Sequence, residues 1–312
     1  MLRPASLKSI LRYPVTTAVA ASALVVTVSW WSGQDIDWLV TNVRVWEKWE
    51  VWRALTSTLP HVNFYHLAFN LYWFWVFGTL VERVYGHLRF AGILALLAMG
   101  SSLADFSLSY GGVGLSGVGY GLWGMLWALD RRDTRFAGAV DRETTRIFVA
   151  WFFVCIVLTV TEVMPVANVA HGAGAGLGAL LGLASSSKGT LRCKSSARLV
   201  AALMLALAGS TVLWPWINLS PYAETEIERA GVEALHRKDN EYAKRLLETS
   251  ARMKEAPARA WHNLGIAYHR LGRYEDALAA YEHAAAMPDS TSEFKETAQQ
   301  MKEFWTRRKE KR

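Results

Sequence analysis

The sequence predicts an all-α protein, a polytopic membrane helix bundle followed by a small helical domain. Two observations carry this. Apolar residues make up 52% of the 312, with 15 tryptophans, and they fall in blocks rather than being spread as a soluble core would need. After Pro221 the blocks stop, and charged, alanine-rich sequence of helical period begins. The net charge of +7 sits largely between the blocks, where membrane topology calls for basic residues, so it does not point to nucleic acid. Cys155 in an apolar block and Cys193 in a basic stretch offer no disulfide framework. No cluster of metal ligands is legible, and neither a metal nor a cofactor is expected.

The blocks approach the length that spans hydrocarbon as helix. They lie near Val15–Trp31, His66–Tyr85, Phe90–Phe106, Ser116–Leu129, Ile147–Val163, Val169–Leu183 and Arg198–Ile217. The first is expected to stay attached, since no clear small-x-small cleavage site follows it. The fourth and sixth are short and glycine-rich, which suits helices packed inside a bundle. The connection before the second block, Gly33–Tyr65, holds Trp38, Trp46, Trp49 and Trp52 among charges of both signs. Amphipathic aromatics favour the headgroup region, so this reads as a structured loop at the outer interface.

Charge asymmetry sets the expected topology. Arg3, Lys8 and Arg12 precede the first block. Arg83 and Arg89, then Arg131, Arg132, Arg135, Arg142 and Arg146, then Lys188, Arg192, Lys194 and Arg198 mark alternate connections. The short links Ser107–Leu115 and Thr161–Val166 carry no Lys or Arg. The positive-inside rule then places the N-terminus in the cytoplasm and, with seven spans, the C-terminus outside it.

Two polar residues stand out in the apolar blocks. Ser116, in Gly114-Leu115-Ser116-Gly117, opens the fourth, and His171 lies near the start of the sixth. Ionisable residues within membrane segments are functional candidates. A serine at a helix start sits beside free N–H groups and the positive end of the dipole, which suit a tetrahedral oxyanion. Taken alone, the tetrapeptide reads more readily as helix packing, which small residues in membrane helices usually serve. However, His171, Gly174, Gly178 and Gly182 share one helical face, and Gly117, Gly121, Gly124 and Ala128 share another. Two such faces permit a close crossing that would bring His171 to Ser116. In the second block His66 and Asn70 share a face, either as donors to developing charge or as interhelical hydrogen-bonding groups. Asp105 and Glu162 read as solvated loop charges, which leaves a dyad without an acid.

In their order, Trp52-Arg53, His66-x-x-x-Asn70, Glu82-Arg83 with Gly86, Gly114-Leu115-Ser116-Gly117 and Ala170-His171-x-x-Gly174-x-x-x-Gly178 resemble the rhomboid intramembrane serine proteases over roughly residues 35–185. The resemblance implies a six-helix catalytic core with Ser116 as nucleophile and His171 as general base. It implies oxyanion contacts from His66, Asn70 and the backbone of Leu115 and Ser116. It also implies support from Tyr120, packed on the His171 ring, and from Gly114, Gly117, Gly174 and Gly178. His61 matches a family position and is expected to tie the first loop to the helices. Glu82 and Arg83 are expected to tie down the cytoplasmic turn.

Downstream, Trp261-x-x-Leu264-Gly265-x-x-Tyr268, with Gly272, Tyr274, Ala277, Tyr281, Ala284 and Pro288, resembles a tetratricopeptide repeat. Ile227, Ala230, Gly231, Ala243 and Leu247 occupy the matching positions one period upstream, and Ser292–Arg308 reads as a capping helix. The expected organisation is a six-helix protease domain over 1–195, a seventh transmembrane helix over 196–220, and an extracytoplasmic repeat domain over 221–312. The expected function is cleavage of transmembrane protein substrates in the bilayer, with a protein or peptide ligand on the repeats. The compact loops suit a bacterial inner membrane. The alternative is a non-catalytic relative that binds membrane helices and escorts or retains its clients.

Overall fold

The computed structural model describes residues 7–109, 111–185, 195, 198–201, 223–253 and 256–310; the side chains of 7, 8, 46, 47 and 223 are outside that set. Most of the expected seventh span, the basic stretch before it and the Trp46 side chain therefore lie outside the described residues. The chain divides into two compact units, Met1–Ser220 and Pro221–Arg312.

In the first unit the principal helices are α1 (Pro14–Trp31), two single turns α2 (Arg44–Glu47) and α3 (Arg53–Thr56), α4 (Phe64–Tyr85), α5 (His87–Leu108), α6 (Ser116–Asp130), α7 (Arg142–Val160) and α8 (Asn168–Ser185). Their ends follow local chemistry. Pro14 opens α1, where a missing N–H costs nothing. The Asn63 side chain accepts the His66 N–H at the head of α4, and Asp141 accepts that of Thr144 at the head of α7. Gly86, at φ +78°, makes the turn from α4 to α5.

Helix α6 is the axis of the bundle, packed by α4, α5 and α8. Leu122, Met125, Leu126 and Leu129 are fully enclosed, with Phe74 and Phe77 of α4, Leu97 of α5 and Leu177 of α8 in the same core. The closest crossing is α6 on α8. A Cβ on Gly174 would stand 2.1 Å from the Gly117 carbonyl oxygen, and one on Gly178 1.8 Å from that of Gly121. Backbone therefore lies on backbone there, and any side chain would force the helices apart.

Among the described residues three helices, α1, α5 and α7, are long and apolar enough to cross a membrane by length and composition. The most apolar windows of α1 and α7 are only 17% buried within the protein, so their aliphatic and aromatic side chains point outward. Such a surface requires a lipid solvent. Helix α6 falls short of that measure at 15 residues, and α4 and α8 are lowered by the histidine, asparagine, tyrosine and glycine they carry.

Two details revise the sequence reading. Glu82 is buried, and its carboxylate accepts the N–H groups of Val15 (3.0 Å) and Thr16 (2.9 Å) and the Thr16 hydroxyl (2.6 Å). It also meets His87 Nδ1 at 2.7 Å. Glu82 thus caps α1 as well as fixing the α4–α5 turn, where a negative charge suits the helix dipole. Arg83 is exposed and takes no such part. The first loop is ordered around Arg53, 1% exposed, which donates to Glu50 at 2.6 Å and to the carbonyls of Val40 (2.9 Å) and Asp37. Arg44 closes on the same Glu50 at 2.7 Å. Trp38, Trp49 and Trp52 stay exposed on that framework, as interfacial anchors would.

In the second unit α9 (Ala223–His236) pairs with α10 (Asn240–Ala251), α11 (Ala258–Arg270) pairs with α12 (Tyr274–Ala286), and α13 (Ser292–Glu310) covers α12. The two hairpins repeat one design. Gly231 receives Leu247 as Gly265 receives Tyr281, each with too little room for a Cβ. The turns use a left-handed residue at matching places, Lys238 at φ 61° and Gly272 at φ 75°. Between hairpins, Glu228 accepts from Arg259 (2.7 Å) and Asn263 (3.2 Å). Ala298 and Met301 of α13 close the last apolar face against Ala277 and Tyr281.

Candidate active site

Ser116 is the first residue of α6, and the chain reaches it through Gly111–Leu115. Gly114 has φ +113°, and a Cβ there would lie 2.7 Å from His66 Cε1. Both facts demand glycine. Its N–H donates to the Ser57 carbonyl at 3.1 Å, which ties this approach to the end of the first loop.

His171 lies in the first turn of α8 and is 3% exposed. Its Nε2 stands 2.8 Å from Ser116 Oγ. For Nε2 to accept the hydroxyl proton the neutral ring must carry its own proton on Nδ1, and Nδ1 is buried without a hydrogen-bond partner. Among the described residues no carboxylate bonds to this histidine. One ring face is covered instead by Tyr120, with centroids 4.6 Å apart and planes 24° from parallel. Tyr120 is itself fixed, its hydroxyl donating to the Phe148 carbonyl of α7 at 2.9 Å and its ring edge-on to Phe148. Packing thus supplies the orientation that a triad draws from an acid.

His66 and Asn70 sit one turn apart in the first half of α4. His66 lies against Gly114 and edge-on to His61, with ring centroids 4.8 Å apart. Asn70 is buried, and its Nδ2 has no partner. An unpaired buried amide donor costs about 1–3 kcal/mol, a penalty that marks a position kept for something else. Gly117, Gly174 and Gly178 are the contact points that let α6 and α8 approach until serine meets histidine.

One expectation is corrected. The Leu115 N–H does not point at an open site but donates to His61 Nε2 at 3.2 Å. His61 must then carry its proton on Nδ1, which donates to the Leu59 carbonyl at 2.8 Å. The His61 carbonyl accepts from Trp31 Nε1 at 3.0 Å. His61 therefore links α1, the first loop and the approach to Ser116, and it occupies the Leu115 donor. Of the two backbone donors expected, that leaves the N–H of Ser116, in the first turn of α6 where a helix leaves its N–H groups unsatisfied.

Asp105 is the residue that sequence reasoning missed. It is not a solvated loop charge but lies in the last turns of α5, 1% exposed. Its Oδ1 accepts the Ala170 N–H at 3.2 Å, and its Oδ2 packs beside the Gly112 backbone, 3.2 Å from where a Cβ on that glycine would stand. The signal was available, since an acid in an apolar block needs a partner inside the bundle. Glu162, by contrast, is exposed at a turn.

Comparison with known families agrees with this geometry. Residues 48–188 match the family model described as the Rhomboid domain, and residues 258–287 match that of the tetratricopeptide repeat. The matched span contains Ser116 and His171 together with the helices that bring them into contact. The chain is therefore a membrane protein that carries a rhomboid domain, followed toward its C-terminus by a tetratricopeptide repeat.

Proposed function

We propose that this protein is an intramembrane serine endopeptidase working through a Ser116–His171 dyad. The observation that carries the reading is the 2.8 Å contact between Ser116 Oγ and His171 Nε2, made by a histidine stacked on Tyr120 inside a membrane bundle. In this mechanism Ser116 Oγ attacks a peptide carbonyl of a transmembrane substrate, and its proton passes to His171 Nε2. Negative charge on the carbonyl oxygen is met by the Ser116 N–H, Asn70 Nδ2 and the His66 ring. The tetrahedral species collapses as His171 returns the proton to the leaving amine, leaving the acyl chain on Ser116. Water, activated by His171, then releases it.

The substrate helix enters beside α7, whose link to α4 is aromatic: Phe69 and Trp151 lie 5.7 Å apart, both partly exposed. The N-terminus faces the cytoplasm of a bacterial cell, and the catalytic end opens to the opposite side of the inner membrane. The repeat unit, on that same side, binds a segment of substrate or of a regulatory protein.

Labelling of the purified full-length chain by a fluorescent fluorophosphonate tests the reading. Wild type should label, and Ser116→Ala and His171→Ala should not. Folded wild type that resists the probe and leaves a membrane substrate intact would refute the protease and favour a non-catalytic binder of membrane helices.

A further inference from the structure

We propose that Asp105 is a positioning residue that holds Ser116 and His171 in register, one carboxylate bonded to the start of the His171 helix and packed against the approach to Ser116. This rests on the protease reading above. Asp105 belongs to α5, which supplies neither dyad residue. Its Oδ1 accepts from Ala170 N, immediately before His171. Its Oδ2 packs beside the backbone of Gly112, four residues before Ser116.

The crowding around Gly112 shows how tightly these segments converge. A Cβ on Gly112 would fall 2.5 Å from the Ala167 Cβ and 3.2 Å from Asp105 Oδ2. The approach to Ser116, the start of α8 and the end of α5 thus meet at one point, with the carboxylate between them. Ala170 is the third residue of α8, so its N–H belongs to the first turn, which a helix leaves unsatisfied. A carboxylate at that end is favoured by the dipole, and its bond to the Ala170 N–H ties the start of α8 to α5. Asp105 touches neither Ser116 nor His171, so its effect on chemistry passes through the backbone. In a dyad whose histidine has no acid on Nδ1, the distance between the two helix starts is set by packing and by this carboxylate.

The test compares wild type, Asp105→Asn and Asp105→Glu as full-length protein in detergent, using a fluorogenic transmembrane peptide. Asn keeps the shape but removes the charge from the group that accepts the Ala170 N–H, and Glu keeps the charge but shifts it by one methylene. A displacement of the dyad by a fraction of an ångström to an ångström should lower kcat by roughly 10- to 100-fold, with KM changed by less than about twofold. Thermal midpoints and fluorophosphonate stoichiometry, measured on the same samples, count the folded and reactive molecules. The proposal is overturned if Asp105→Asn keeps the wild-type kcat. It is equally overturned if the whole loss is a loss of folded molecules, or if neither variant folds, since Asp105 would then be a folding determinant only. Inactive wild type would instead sink the protease reading itself, and that outcome is visible without either variant.

Discussion

Replacing Gly178 by alanine adds one methyl at the tightest point of the bundle. That Cβ would stand 1.8 Å from the Gly121 carbonyl oxygen, 2.6 Å from its carbon and 2.9 Å from its Cα. All three are backbone atoms of α6, so no rotamer change can relieve the clash. Restoring van der Waals separation requires α6 and α8 to part locally by about 1.5 Å. Overpacking a well-filled core costs about 1–3 kcal/mol, and a backbone-on-backbone clash belongs at the upper end. The same displacement separates Ser116 from His171, for which an ångström can cost on the order of 100-fold in rate. Gly178→Ala should therefore lower the thermal midpoint in detergent and reduce fluorophosphonate labelling per folded molecule. Gly176→Ala, on the same helix but with nothing within 4 Å of its Cβ, is the matched control and should leave both unchanged. A Gly178→Ala protein with wild-type stability and labelling would refute the close-contact argument.

Asn70→Ala removes a buried donor that has no partner in the resting protein. Turnover should fall by about 100-fold while the thermal midpoint holds, and a large drop in midpoint would make Asn70 structural instead. In the repeat unit, burial and then the neighbouring Glu228 push the Glu224 carboxyl above its ordinary value. The folded state thus binds that proton more tightly than the unfolded state. The stability gained is complete below the ordinary carboxylate range and is lost as pH rises through the folded value. Glu224→Gln should raise the midpoint at neutral pH and have no effect under acid conditions, as followed by thermal denaturation at both. Lys238 holds a left-handed conformation that its counterpart Gly272 adopts freely. Lys238→Gly should stabilise the first repeat by about 0.5–1 kcal/mol, the left-handed penalty being partly offset by the entropy of glycine. A lower urea midpoint would contradict this.

The helices were legible because their signals are local. Blocks of spanning length gave the helix sites, and a 34-residue spacing carried Ile227, Gly231 and Leu247 onto Trp261, Gly265 and Tyr281. Ser116 and His171 could be singled out because polar residues are conspicuous in apolar sequence, and the glycine faces indicated which two helices could approach. Three-dimensional partners were harder to read. Glu82 sits beside Arg83 in sequence, yet it caps α1, 66 residues upstream of it at Thr16. The Leu115 N–H is taken by His61, 54 residues before it in the chain.

Asp105 shows where the division falls. The sequence by itself determined that the chain is helical, where its apolar segments lie and which residues could carry chemistry, since each depends on periodicity or composition within one segment. Only the tertiary structure decided that a carboxylate near the end of one apolar helix holds the start of another, and which N–H groups near Ser116 are already taken. Those choices depend on distances between segments far apart in the chain. A buried polar group must be satisfied somewhere, but the sequence names only the need and the fold selects the partner.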